Sequence, residues 1–193
     1  MTHGGRETEI KLAAPDAAAG RALLRRAGFR VSKRRVLETN TVFDTADRAL
    51  ARSACLLRVR AAGRRATLTF KGPPEVSKHK SREELELEIA GARAMTAIVQ
   101  RLGFQPVFRY EKYRTEYRRA GGLATLDETP IGVYLELEGA PAWIDRTARQ
   151  MGFTEDQYIT ASYAGLYFES RRRLGTEPGD MVFEAAEKPP RKY

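Results

Sequence analysis

Cysteine is nearly absent: Cys55 stands alone, so no disulfide forms within the chain and no Cys-based zinc site is available. It reads as a small core residue. Histidine is almost as scarce, and the two present, His3 and His79, share no metal-ligand spacing. His3 falls in the terminus and His79 in a loop that reads as solvated. Long apolar runs are missing as well. None approaches the roughly 18 residues that would suggest a membrane span, and Met1 to Arg6 lacks the apolar core of a signal peptide, so a cytoplasmic location is expected. No Walker-type phosphate loop occurs either, since Gly72-Pro73-Pro74 after Lys71 does not fit G-x-x-x-x-G-K-[ST]. Aromatic residues make up 9% of the chain and form no RNA-binding motif; Trp143, Phe104, Phe108 and Tyr110 read as packing.

What is present suits one globular domain. The 193 residues are 42% hydrophobic and 31% charged, enough to bury a core and too apolar for wholesale disorder. A formal charge of +9, with pI near 9.9, favours an anionic partner: nucleic acid, polyphosphate, nucleotide or an anionic surface. Part of that excess, in Arg34-Arg35, Arg171 to Arg173 and Lys188 to Lys192, reads as solvated surface or tail.

Alternation at period two predicts strands over 5–13, 29–45, 55–61, 65–72, 82–90, 106–119, 122–128 and 132–139. Asp16 opens an Ala-rich helix that Gly28 ends, and a second helix runs from Ala92 to Leu102. Shorter helices are expected over 142–151 and 161–173, a turn over 47–53 and a polar loop over 73–81. Hairpin-length links at Gly63 and Gly121-Gly122 point to an antiparallel sheet and an α+β class. Residues 5–173 read as the domain and 174–193, with Pro178, Pro189 and Pro190, as a flexible tail.

The strands carry their charges in consecutive same-face positions. Glu7, Glu9 and Lys11 share a face, as do Arg58 and Arg60; Arg82, Glu84, Glu86 and Glu88; Lys112 and Arg114; and Glu136 and Glu138. One account is a solvated sheet face laced with ion pairs worth a few tenths to about 1 kcal/mol each. The two longer helices favour another, because their apolar faces need a sheet surface to cover. If they cover the apolar faces, the charged faces turn inward. A closed barrel of about eight strands has room for side chains and one small ligand. Ions crowded inside need partners, which a polyanion and its metal ions supply.

Glu7-Thr8-Glu9-Ile10-Lys11 resembles the ExExK motif of the CYTH superfamily, the triphosphate tunnel metalloenzymes. Further matches follow in order. Asn40 to Thr45 (NTVFDT) is similar to the N-x-YFDT strand, with Val42-Phe43 in place of Tyr-Phe, and Leu56 to Arg60 (LLRVR) to the LRxR strand. Lys71, Arg82, Glu84, Lys112, Arg114, Asp127, Glu136 and Glu138 match too, and Ser162-Tyr163 resembles a late Ser-Tyr; the likeness spans roughly 5–168. The resemblance implies an eight-stranded antiparallel barrel, a tunnel with charged interior and helices packed outside. It implies a triphosphate cradle of Lys11, Arg58, Arg60, Lys71, Arg82, Lys112 and Arg114. Glu7, Glu9, Asp127, Glu136 and Glu138 are the implied ligands of two Mg²⁺ or Mn²⁺ ions, hard cations that suit carboxylates, with Glu84 and Glu86 in support.

Such a cradle serves two reactions. Water attacking the terminal phosphoryl group gives hydrolysis; a ribose 3′-hydroxyl attacking the α-phosphorus gives cyclisation to cyclic AMP and pyrophosphate. The expectation leans to a triphosphatase acting on tripolyphosphate or an organic triphosphate such as thiamine triphosphate, because no nucleoside pocket is identifiable. A class IV-type adenylate cyclase is the alternative, and a non-catalytic polyphosphate or nucleotide module a third. The expected partner is a small triphosphate-bearing molecule, neither a specific nucleic acid nor a membrane, with a homodimer allowed.

Overall fold

The computed structural model describes residues 2–184. Strand β1 (Thr2–Ala14) leads into helix α1 (Ala17–Arg26), whose Asp16 cap accepts a hydrogen bond from the Ala19 amide at 2.8 Å. Then come β2 (Arg30–Asp44), the single-turn α2 (Ala49–Arg52), the β3–β4 hairpin (Leu56–Ala62, Arg65–Lys71), the two-residue β5 (Glu75–Val76) and β6 (Lys80–Ile89). Helix α3 (Ala92–Arg101) connects to β7 (Gln105–Arg119), β8 (Gly122–Thr129) and β9 (Gly132–Gly139); α4 (Pro141–Gln150) and α5 (Tyr163–Arg173) follow.

The ladder runs β1-β9-β8-β7-β2-β3-β4-β6, every pair antiparallel, and β6 returns to β1. β1 closes the ring because its halves differ in partner: Thr2 to Glu9 pairs with β6, and Glu9 to Ala14 with β9. The result is a closed eight-stranded barrel with the five helices outside it, an α+β protein.

Two kinds of interior result. The apolar core lies outside the barrel wall, between sheet and helices: Ile10, Leu12, Leu126, Leu135 and Leu137 on the outward faces meet Leu24 of α1 and Ile144 of α4. Gly20 lets α1 approach this wall, since a Cβ there would stand 2.6 Å from a Leu126 methyl. A second outer cluster seats α3 over Phe43 and Val59, whereas Phe108, Tyr110, Tyr163, Tyr167 and Met181 gather where α5 packs against the inward face of β7. The charged faces turn inward.

Several local expectations change. The 47–53 turn contains α2, because Asp44 accepts hydrogen bonds from the Leu50 and Ala51 amides, both at 2.9 Å, and anchors that turn of helix. The 73–81 loop holds β5. His79 is buried rather than solvated: its Nε2 lies 2.7 Å from Asp145 Oδ1 on α4. Cys55 is half-buried at the start of β3 and belongs to none of the three clusters. Segment 175–184, placed in the tail by Pro178 and its mixed charge, lies along the barrel. Where β8 ends, the early half of β7 has a free edge; the Glu111 amide donates to Met181 O at 2.8 Å and the Met181 amide to Arg109 O at 2.9 Å. Met181 is 1% exposed there. The rest of the expected tail, 185–193, lies outside the described residues. No helix among the described residues is long and apolar enough to cross a membrane.

Candidate triphosphate site

Period-two alternation aims every second side chain of each strand into the barrel, and ring closure makes those faces converge. They enclose a cavity of about 550 Å³. Twelve of the thirteen site residues expected from sequence line it: Glu7, Glu9, Lys11, Arg58, Arg60, Lys71, Arg82, Glu84, Lys112, Arg114, Glu136 and Glu138. The thirteenth, Asp127, is 0% exposed: it lies on the inward face of β8 but is covered by Lys112, Arg114 and Tyr163. Its carboxylate accepts from Lys112 Nζ at 2.8 Å, Arg114 Nε at 2.7 Å and the Tyr163 hydroxyl at 2.7 Å. In this arrangement Asp127 aims two cradle cations and holds down the tyrosine that closes part of the wall.

The cations are each clamped by carboxylates. Lys11 lies 3.3 Å from both Glu9 and Glu136; Lys71 meets Glu7 at 2.5 Å and Glu84 at 2.9 Å; Arg114 bridges Asp127 and Glu136. Arg60 is 2.8 Å from Glu86, and Arg58 donates to the Tyr110 hydroxyl at 3.0 Å and to Thr69 at 3.2 Å. Glu88, on the same face of β6, is exposed near the barrel end beside Arg65 and lines nothing.

Charge states follow from this crowding. Burial disfavours the Glu9 carboxylate, yet Lys11 and Lys80 outweigh it and hold its pKa at about 2. Glu7, two residues away, goes the other way: burial and the charges of Glu9 and Glu84 prevail over Lys71 and push it up to about 7. Glu138 is raised by burial and by the carboxylates of Glu84, Glu136 and Glu9, and makes no ion pair among the described residues. Glu136 lies well below the usual range because Arg114, Lys112 and Lys11 overcome its burial. Lys80 is lowered to about 8, chiefly by burial, with Lys11, Arg82 and Lys71 adding to the effect against Glu9.

No three His, Cys, Asp or Glu side chains among the described residues are gathered as a finished metal cage. The donor chemistry nevertheless fits a hard divalent cation. Glu7 and Glu138 are both raised by burial and, after it, by neighbouring carboxylates, and a cation placed among Glu7, Glu9, Glu136 and Glu138 would offset both.

Several lining or bordering residues went unnamed as site residues from sequence, and four of them touch the expected cations or carboxylates. Lys80 precedes Arg82 by one strand period, and Tyr110 precedes Lys112 by the same. Glu38, buried on β2 within 4.0 Å of Arg60, Lys112 and Arg114, precedes Asn40 likewise. Tyr163, matched to the Ser-Tyr pair without a role, covers Lys11 and Lys112 with its ring, at 5.3 and 4.8 Å from the centroid. Extending each charged face by one step of two would have found the first three.

A CYTH domain model matches residues 5–163. The chain belongs to the CYTH family. It is 32% identical over 171 residues to a candidate adenylate cyclase of Methanocaldococcus jannaschii, covering 83% of this chain and 97% of that protein. Among solved CYTH-like structures, a candidate adenylate cyclase of Vibrio parahaemolyticus superposes with a TM-score of 0.72 at 18% identity, covering 84% of this chain and 97% of that one. A Hippeastrum protein, described as a candidate adenylyl cyclase with a dominant triphosphatase activity, superposes with a TM-score of 0.62 at 21% identity, covering 89% and 97%. These two structural likenesses bear on the fold.

Proposed function

We propose that this CYTH protein is a divalent-metal-dependent triphosphatase. The observation that carries the reading is the convergence of seven expected cradle cations, with Lys80 beside them, on one cavity that also holds unneutralised carboxylate charge at Glu138. A triphosphate bears about four negative charges; arginine forks suit its oxygens and lysines act as point charges. Lys11, Lys71, Arg58, Arg82, Lys112 and Arg114 would neutralise the bound chain and stabilise the charge that builds on the leaving pyrophosphate as water attacks the terminal phosphorus. Glu7, Glu9, Glu136 and Glu138 would hold Mg²⁺ or Mn²⁺, with Asp127 acting from beneath through Lys112 and Arg114. The ions supply charge neutralisation and polarise the phosphoryl oxygens. Tyr163 narrows the cavity and limits solvent.

Cyclisation is the second reading, favoured by the name of the M. jannaschii relative. Against it, the aromatic rings on the cavity wall are already engaged: Tyr163 lies over Lys11 and Lys112, and Tyr110 stacks on Phe108. Incubation with tripolyphosphate, thiamine triphosphate or ATP, each with Mg²⁺ or Mn²⁺, decides. Orthophosphate release supports the triphosphatase; cyclic AMP with pyrophosphate replaces that reading with the cyclase, and no product from any substrate ends both.

A further inference from the structure

Outside the barrel, one buried carboxylate gathers side chains from two separate segments. Oδ1 of Asp145, on α4, lies 2.7 Å from Nε2 of the buried His79 and 3.4 Å from the Tyr158 hydroxyl. Its Oδ2 lies 2.8 Å from Lys78 Nζ, which reaches on to Glu155 at 3.0 Å. Burial disfavours the carboxylate, yet the hydrogen bonds of Lys78 and His79 outweigh it and hold its pKa below the ordinary value. An ionised carboxylate only accepts, so His79 donates through Nε2 and Tyr158 through its hydroxyl.

These contacts sit on the seam where the barrel closes. β1 changes partner at Glu9, which stands opposite Lys80, the first residue of β6, and opposite Glu138 of β9. Past Glu9 the chain of β6 no longer follows β1. Residues 77–79 turn out toward α4, and the vacated edge is taken by Ile159, which exchanges both backbone hydrogen bonds with Lys11, at 2.8 and 2.9 Å. A strand residue points its N–H and C=O to the same edge, so Ile159 lies on the side of β1 away from β9. Two segments therefore abut along one edge, with no ladder bond between them among the described residues. Asp145 ties both ends: His79 precedes Lys80 by one residue, and Tyr158 precedes Ile159 by one.

The alternation of a strand sets what this tie does inside. His79 faces α4 and its neighbour Lys80 faces the cavity, where it lies 3.3 Å from Glu9; Lys11 lies 3.3 Å from the same carboxylate. A shift of either backbone moves an ammonium relative to Glu9. An apolar pair would fill the outer space without a desolvation cost, but it fixes direction loosely, whereas a charge-assisted hydrogen bond fixes distance and direction together. We infer that the His79–Asp145 pair, with Tyr158, is a positioning device for the tunnel: from outside the barrel it holds the backbone beneath Lys80 and Lys11, and so sets the two cations that grip Glu9. The inference rests on the triphosphate reading of the cavity and deepens it, because it names residues that touch no substrate yet govern how tightly one is held.

The test is calorimetry of the full chain with tripolyphosphate in Mg²⁺ buffer, well below the melting temperature, with dissociation constant and stoichiometry read separately. His79→Leu fills the space and removes the donor. It should weaken binding about tenfold at undiminished stoichiometry, on the scale of one charge-assisted contact. His79→Gln, whose amide still donates to Asp145, should keep most of the wild-type affinity. A purely structural role gives another result, a lower melting temperature and fewer competent sites with wild-type affinity in those that remain, and that result would overturn the inference. Equal weakening by Leu and Gln would overturn it too, since the hydrogen bond would not be the cause. Should His79→Leu fail to fold, Asp145→Asn keeps the side-chain volume and removes the charge; it should also weaken binding, and wild-type affinity there would end the proposal. If the wild type does not bind tripolyphosphate, the cavity reading and the positioning fall together; if it binds and His79→Leu binds equally well, only the positioning falls.

Discussion

Glu7 and Glu9 sit on the same face of one strand, two residues apart, yet their carboxyls are driven in opposite directions, Glu7 up to about 7 and Glu9 down to about 2. The difference is in their neighbours: Glu9 shares Lys11 with Glu136 and has Lys80 besides, whereas Glu7 shares Lys71 with Glu84. Glu38 is an equally clear case, held at about 2 because Arg114, Lys112, Arg60 and Arg58 overcome its burial. A carboxylate whose folded pKa lies below its unfolded value of about 4.5 contributes stability that is complete above about 4.5 and vanishes as pH falls through about 2. The contribution of Glu38 is of order 3 kcal/mol on that basis. Urea unfolding from pH 6 down to pH 2 should therefore show a smaller acid loss in Glu38→Gln than in the wild type; parallel curves would mean that Glu38 is not ionised in the fold. The catalytic expectation is separate. Glu9→Gln and Glu136→Gln should each abolish tripolyphosphate turnover while binding persists at least in part, measured by orthophosphate release alongside calorimetry. Turnover at the wild-type rate in both would remove them from the metal-holding set.

Elements differ in how openly the sequence declares them. The charged faces were readable because side chains on a strand alternate, so Glu136 and Glu138, or Arg58 and Arg60, could be assigned to one side without knowing what that side faced. Inwardness was an inference from the two helices, and the outer clusters under α1, α3 and α4 bear it out. Partner choice was not readable: nothing in Thr2 to Ala14 announces that its halves pair with β6 and β9, because ladder bonds are made by backbone that every residue carries. His79 was misplaced for a related reason. Lys78-His79-Lys80 looks polar in sequence, and only the return of α4 brings Asp145 to within 2.7 Å of the imidazole. The segment after α5 was misplaced because Pro178 and its mixed charge argue against a regular strand, yet a two-bond bridge at Met181 needs none. Met181 packs with Phe108, Tyr110, Tyr163 and Tyr167. Met181→Ala should cost about 2–4 kcal/mol, read as a lower midpoint in chemical unfolding. A loss below about 0.5 kcal/mol would mean that the segment is not docked in solution.

At the scale of the whole molecule, a barrel filled with ion pairs has to draw its stability from elsewhere. Buried pairs return little more than their desolvation costs, so the outer clusters against α1, α3 and α4, with the aromatic cluster under α5, carry the fold, and the tunnel is tolerated within it. The chain also carries a formal +9, and basic side chains outnumber acidic ones along that tunnel. A polyanion that binds only the folded barrel must then stabilise the whole molecule: at a concentration of 100 times its dissociation constant the gain is about 2.7 kcal/mol. For a chain of this size that corresponds to a rise of roughly 5–10 °C in melting temperature. Tripolyphosphate should produce this rise in the wild type. Lys11→Met and Arg114→Met, if they fold, should lose most of it because each removes a cation from the cradle. Raising sodium chloride should shrink the tripolyphosphate shift only modestly, since Lys11 and Lys112, 2% exposed each, are shielded from screening. Equal melting shifts from tripolyphosphate and from the same charge concentration of sulfate would show general anion screening of a basic protein, and would take away the enclosed cradle on which the triphosphatase reading stands.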